Sequence, residues 1–281
     1  MNLLDKYIDY IRDIRSYSES TVQIYDAALR DYVSFAHKDS DSSAVTDDDM
    51  VSSMNVSEIR SYEVAMLDRG YSSKTVNLHI SALSSFCRYL IKNQKLKSNP
   101  VRVVTKPKTE KRLPVFFRKE SMDAYFAVSP FPETREEFDS VLSGIHTESG
   151  KKNYEAILAR MIISLLYSLG IRRAELISLK IGDVDFGRNV VKVTGKGDKK
   201  REIPFIASLC EELLLYLEAV ETMCGGKRSL KEPLLVTYKG KSLYPAYVDR
   251  VVKNELGGVK GITGRKSPHV LRHSLATELL N

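Results

Sequence analysis

The stretch Asn99–Pro114 constrains this chain more than any other. It carries Pro100, Pro107 and Pro114, each of which removes a backbone donor and disfavours helix. It also sets Lys106, Lys108, Lys111 and Arg112 against Glu110. No single core runs through such a segment. The chain therefore divides into a first domain over residues 1–105, a basic linker over 106–114 and a second domain over 115–281. A length of 281 residues suits about two domains of roughly 100–200 residues. The linker either lies along a phosphate backbone or is a solvated tether, and its composition fits both.

Upstream of the linker every readable segment is helical. Apolar residues recur at helical spacing in Leu3–Ile14. A second helix follows SYSES, with Ser18 or Ser20 as its cap and Val22, Tyr25, Leu29, Tyr32 and Val33 on one face. Asp39–Asp49 is polar and acidic and reads as a loop. A third helix covers Ser57–Asp68 and stops at Gly70. A fourth follows SSKT, with Val76, Ile80, Leu83, Cys87 and Leu90 in one stripe. Such stripes are core. A partner is left to meet the polar faces, which carry Lys74, Arg88 and Lys92.

Downstream the pattern is mixed. Glu155–Leu169 is a strongly apolar helix interrupted by Arg160, too short to span a bilayer. Val190–Thr194 and Arg201–Phe205 alternate around the turn GKGDKK and predict a β-hairpin. Helices are expected over Ile206–Met223, from Pro245 through Leu256, and from Pro268 with Ser267 as cap. Phe131–Lys152 reads as a polar insertion with a short helix. The expected fold is mainly α with a small β-sheet: a four-helix N-terminal domain, then a mixed α/β domain.

The formal net charge is +7, which suits a polyanionic partner. Cys87, Cys210 and Cys224 are far apart and lack CxxC spacing, so neither a disulfide framework nor a zinc site is indicated, and a reducing cytoplasm fits. The N-terminus mixes charges throughout and has no apolar stretch like that of a signal peptide.

Four polar residues of the second domain stand out. Arg172 follows a tight Gly170 at the end of the apolar helix. Lys196 sits at the hairpin tip, and His269 and Arg272, three apart, share a helix face. Phosphoryl transfer without a metal needs charge against the non-bridging oxygens and groups that move protons. Two arginines can grip those oxygens in bidentate fashion, and a histidine and a lysine can handle protons. Taken singly, each of the four reads equally as a surface or structural side chain.

In combination the strings resemble a known family. SLLYSLGIRRAELISLKIGDVD, VVKVTGKGDKKREIPF and SPHVLRHSLATELLN are similar to the tyrosine recombinases, closest to the Xer-type recombinases and phage-type integrases. SYSESTVQIYDAALRDYVSF and GYSSKTVNLHISALSSFCRYL resemble that family's SAM-like core-binding domain. The match spans nearly the whole chain apart from Phe131–Lys152. It implies that Arg172 and Arg272 are the two catalytic arginines, that Lys196 protonates the 5′-hydroxyl leaving group, and that His269 assists proton transfer. Glu175 then supports the site, and His273 stands behind it. Lys74, Arg88, Lys106, Lys108, Lys111 and Arg112 are the expected DNA-contacting residues.

The resemblance further implies a C-shaped clamp on double-stranded DNA, a 3′-phosphotyrosine intermediate, and a tetramer on paired sites. It implies no cofactor and no metal, because the bond energy is conserved. The family's tyrosine follows the HxxR motif on a later helix, and none of the 15 tyrosines lies beyond Arg272. The expectation is therefore a fragment or truncated product with no nucleophile of its own, monomeric without DNA, and off the membrane. A type IB topoisomerase with related chemistry and a non-cutting DNA-binding module remain as alternatives.

Overall fold

A computed structural model describes residues 2–38, 45–109, 116–129, 131–132, 134–195, 197–262 and 264–278. The chain forms two compact units, Met1–Arg112 and Leu113–Asn281.

Among its described residues, unit 1 contains five α-helices: α1 (Leu3–Asp9), α2 (Glu19–Ala36), α3 (Asp47–Ser53), α4 (Val56–Asp68) and α5 (Ser73–Lys92). Each begins on a side chain that accepts from a backbone N–H of the first turn, here Asn2, Ser18, Thr46, Asn55 and Ser72. The cap of α2 is Ser18, one of the two serines the sequence offered. Their apolar stripes close one core, which includes Leu29, Tyr32, Ile59, Tyr62, Ile80 and Phe86.

One expectation for this unit is corrected: among the described residues it has five α-helices, not four, because the acidic stretch expected as loop becomes α3 from Asp47 onward. Asp47, Asp48 and Asp49 fill the first turn, where the helix dipole favours negative charge, and Asp49 closes a capping box with Thr46. The start of the proline-rich stretch, within residues 1–105, belongs to the core. Pro100–Val103 forms a 3₁₀ turn that buries Val101, with Val104 buried just after it.

Unit 2 is built around α8 (Glu148–Leu169), longer than the sequence pattern suggested and buried along most of its length. Packed around it are α6 (Lys119–Val128), α7 (Arg135–Ser143), α9 (Arg173–Ser178), α10 (Ala207–Cys224), α11 (Pro245–Glu255) and α12 (Pro268–Glu278). The segment expected as a polar insertion is α7 and the first turns of α8, and α7 plants the fully buried Phe138 in the core.

Three antiparallel strands, β1 (Val184–Asp185), β2 (Val190–Thr194) and β3 (Lys200–Pro204), form a small sheet in the order β1-β2-β3. Val191 pairs with Ile203 and Val193 with Arg201, so these four share the inward face.

Arg160, in the middle of α8, is buried and engaged through both Nη atoms. Its Nη1 donates to the carbonyls of Phe126 (2.8 Å) and Ser129 (3.3 Å). Its Nη2 donates to Glu212 on α10 at 2.8 Å, and Ser164 donates to the same carboxylate. Phe126 covers the guanidinium face at 4.7 Å. No helix among the described residues is long and apolar enough to cross a membrane.

Candidate active site

The site begins where α8 stops. Gly170 takes a left-handed conformation, φ +55°, which ends the helix and turns the chain toward α9. A Cβ here would stand 2.8 Å from a methyl of Leu275 on α12, so the turn and that helix touch at a place only glycine allows. Arg272 on α12 donates through Nη1 to the Gly170 carbonyl. Arg172, two residues on, is the N-cap residue of α9. The one turn therefore carries Arg172 and anchors Arg272.

Glu175 organises the rest. It is only 4% exposed and accepts four hydrogen bonds. Its Oε1 takes Nη1 of Arg172 (2.9 Å) and Nη1 of Arg201 (3.0 Å). Its Oε2 takes the backbone N–H of Arg172 (2.7 Å) and Nη2 of Arg201 (2.9 Å). Arg201 thus grips it with both arms of the fork. Burial alone would raise this carboxyl's pKa, but the bonds from Arg201 and Arg172 outweigh it and hold it at about 2. Glu175 is a permanent anion at physiological pH, and Arg172 is oriented by it.

The same ion pair fixes the hairpin. Arg201 projects from β3, and Gly195 at the end of β2 lies so close that a Cβ there would meet Glu175 Oε1 at 3.3 Å and Arg201 Nη1 at 3.4 Å. The two strands bracketing Lys196 are therefore docked onto the residue that orients Arg172. Lys196 itself lies outside the described residues.

His269 and His273 stand one turn apart on α12, their Nε2 atoms 3.0 Å from each other and their rings edge to face. One ring must donate and the other accept, so the pair resists a second proton. Partial desolvation comes first, followed by the positive charges of His273, Arg272, Arg265 and Arg172, and together they lower the pKa of His269. Arg272 is also held below its ordinary value, by burial and then by Arg172. The two arginines thus feel each other's charge.

Arg172 and Arg272 each use one Nη atom, and among the described residues their Nε and other Nη atoms donate to nothing. Five of the residues singled out in the sequence, Arg172, Glu175, His269, Arg272 and His273, converge into one basic cluster drawn from α9 with its N-cap and α12.

Sequence reasoning missed Arg201 and Arg265. A signal for Arg201 existed: the alternation of β3 places it on the same face as Ile203. An arginine on an apolar face needs a buried acid, and Glu175 was already in view.

In unit 1 the expected DNA-contacting residues separate. Asn77 donates to the Pro107 carbonyl at 3.0 Å and sits three residues beyond Lys74 on α5. That contact gathers the exposed Lys74, Lys106 and Lys108 at the start of the helix. Arg88 is also exposed but lies about 21 Å further along the same helix, at 1.5 Å rise per residue. Lys111 and Arg112 lie outside the described residues.

Known families agree with this architecture. Residues 134–281 match the phage integrase family, and residues 4–94 match the SAM-like N-terminal domain of phage integrases. The chain belongs to the phage integrase family, the tyrosine recombinases, a class of DNA-recombining enzymes. It is 31% identical over 281 residues to tyrosine recombinase XerC of Bacillus pumilus, covering 99% of this chain and 83% of that protein. It is 29% identical to XerC of Chlorobaculum parvum, with 99% and 82% covered. Among solved structures, the XerH site-specific recombinase bound to its difH substrate shares the fold at a TM-score of 0.63. That match has 21% identity and covers 98% of this chain and 72% of that one.

Proposed function

We propose that this chain binds double-stranded DNA and grips one phosphate with Arg172 and Arg272, in the service of strand cleavage and rejoining at a specific site. One observation carries the reading. Two arginines from different helices meet at the Gly170 turn, each pinned through one nitrogen and each with donors to spare. Two planar forks with unused donors match the non-bridging oxygens of a phosphodiester, where negative charge builds in the transition state. Glu175 holds one fork in place, and His269, low in pKa and neutral near pH 7, accepts and returns a proton.

In the reaction that family membership implies, a tyrosine oxygen bonds to phosphorus as the bond to the 5′-oxygen breaks. The departing 5′-hydroxyl takes its proton from Lys196, and the 3′ end stays on the tyrosine. Attack by a 5′-hydroxyl reverses the step with no net loss of bonds. Lys74, Lys106 and Lys108 contact backbone phosphates at one end of α5, Lys111 and Arg112 extend that track, and Arg88 contacts a phosphate at the other end. The working assembly is a tetramer on paired sites, formed from monomers in the cytoplasm.

Anisotropy titration of a duplex at several salt concentrations tests this. The logarithm of affinity should fall linearly with that of salt, by about 0.9 per phosphate contacted. The double variant Arg172→Ala, Arg272→Ala should flatten the slope by about one. An unchanged slope in that variant, or salt-independent binding, would overturn the assignment.

A further inference from the structure

Unit 1 contains a cavity of about 180 Å³ between the helix that opens the chain and the last turns of α5. Of the residues that line it, only Arg88 has a part in the reading above, as a phosphate contact. Tyr10, Tyr17 and Tyr89 wall it, and the buried Ser85 closes its inner end. The exposed Arg15 and Arg88 stand at its mouth.

The walls are braced from behind. Tyr89 packs 5.0 Å from Tyr10 and 5.3 Å from Tyr7 by ring centroids, and Tyr25 meets Tyr17 edge-on at 6.0 Å. The backbone is shaped to make the space. After α1 the chain widens into a π-helical segment, Tyr10–Ile14, and Ser16 then adopts a left-handed φ of +50°. Both departures recur at functional sites, and here they turn Arg15 and Tyr17 toward α5.

Two further observations indicate a missing occupant. Just behind the lining, the Tyr7 hydroxyl is fully buried with Ser85 as its near polar neighbour but no hydrogen bond of good geometry, and Tyr17 and Arg88 of the cavity also act on it. Arg15 and Arg88 donate to no carboxylate among the described residues, whereas the neighbouring Arg12 is paired with Asp9 and Glu19.

Size narrows the ligand. A cavity of roughly 150 Å³ takes benzene, so this one matches a single six-membered ring with small substituents better than a fused bicycle. Aromatic walls favour a flat π-face, and two unpaired guanidinium groups favour a phosphate. We propose that this cavity binds a pyrimidine nucleotide, its ring among Tyr10, Tyr17 and Tyr89, its polar edge toward Ser85 and Tyr7, and its phosphate on Arg15 and Arg88. The nucleotide is either free or an unpaired one in a DNA strand. Duplex binding at Arg172 and Arg272 is a separate matter, because a free nucleotide titrates the cavity whether or not a duplex binds.

Calorimetric titration of the 281-residue chain with CMP, UMP, AMP, cytidine and inorganic phosphate tests the site. CMP and UMP should each saturate one site, at least about tenfold more tightly than AMP, cytidine or phosphate. Arg15→Gln and Arg88→Gln should each weaken CMP by roughly tenfold and leave cytidine unchanged, the loss expected for one charge-assisted hydrogen bond. Both side chains are exposed, so thermal melts should stay at the parent value. Tyr17→Leu should weaken CMP and cytidine alike. Equal binding of CMP and AMP, CMP no tighter than phosphate, or insensitivity to Arg88→Gln would reduce the effect to general attraction by a basic surface and overturn the proposal. An oligonucleotide with an unpaired pyrimidine end that displaces CMP assigns the site to a DNA strand, and one that does not assigns it to the free nucleotide. Displacement by purine and pyrimidine ends alike would again overturn it.

Discussion

Unit 2 holds two arginine–glutamate pairs made from the same residue types and put to opposite ends. Arg160 and Glu212 lie across the middle of α8, with the arginine side chain 11% exposed and its Nη atoms bound to two carbonyls and the carboxylate. Arg172 and Glu175 lie just past the end of the same helix, and there the exposure is reversed: the glutamate is buried while the arginine side chain is 57% exposed with donors unused. What separates a structural ion pair from a functional one is therefore which donors remain open to solvent after the protein has taken its share. In the first pair the arginine is locked in. In the second the carboxylate is locked in, and the arginine is presented.

The contrast makes ranked predictions. The largest effect is on folding. Arg160→Ala leaves the part-buried Glu212 without its cationic partner and removes the donor to two carbonyls, and should lower the unfolding free energy by about 3–5 kcal/mol in urea denaturation. A loss below about 1 kcal/mol would mean that the buried pair holds nothing. Arg172→Ala should do the reverse. Its stability cost should stay within about 1 kcal/mol, because the pair is screened by solvent. Its effect should appear in a chain extended past residue 281 with the family's tyrosine-bearing segment, assayed on a nicked suicide substrate. There, covalent adduct formation should fall by several hundredfold, about 3–4 kcal/mol, and Arg172→Lys should recover little of it. If both arginine variants lost folding and cleavage in equal measure, the distinction would collapse.

The next effect is acid sensitivity. Glu175 is held at about 2 against an ordinary 4.5. A depressed carboxyl contributes stability that is fully present above the ordinary value and disappears as pH falls toward the folded one. Here that is on the order of 3 kcal/mol, lost between about pH 4.5 and 2. Arg201→Ala should raise this carboxyl's pKa and move the loss to higher pH, which unfolding experiments across that range would detect. An unchanged acid limb would show that Arg201 is not the group holding it down.

The smallest effect is at the histidine pair. An NMR titration should place the His269 midpoint below 6.5, and His273→Ala should move it up by removing one of the groups that lower it. A midpoint at or above 6.5 in the parent chain would remove this account of the pair.

The apolar stripes of α2, α4 and α5 and the two hairpin strands were legible in the sequence, because a period of 3.6 or 2 is written directly in the residues. Arg172 and Arg272 stood out by their place after Gly170 and on a shared helix face, but their roles, and Glu175 altogether, came through motif resemblance. α3 was lost because three aspartates look like a loop until a helix dipole is placed beneath them. Arg201 was lost for a different reason. Its alternation was visible, but the acid that makes its position tolerable sits 26 residues away in another element. The π-helical turn at Tyr10–Ile14 has no signature in composition, since one extra residue in a helical turn arises from how α1 packs.

The bond from Arg272 to the Gly170 carbonyl spans 102 residues, whereas Arg172, Glu175 and Arg201 fall within a much shorter stretch of chain. A ribosome adding roughly 5–20 residues per second delivers the second arginine several seconds after the first. During that interval the nascent polypeptide holds Arg172 and its carboxylate without Arg272. Half of the phosphate grip exists before the other half has been translated, so a nascent chain that has not yet reached Arg272 cannot close both forks on a chromosome nearby.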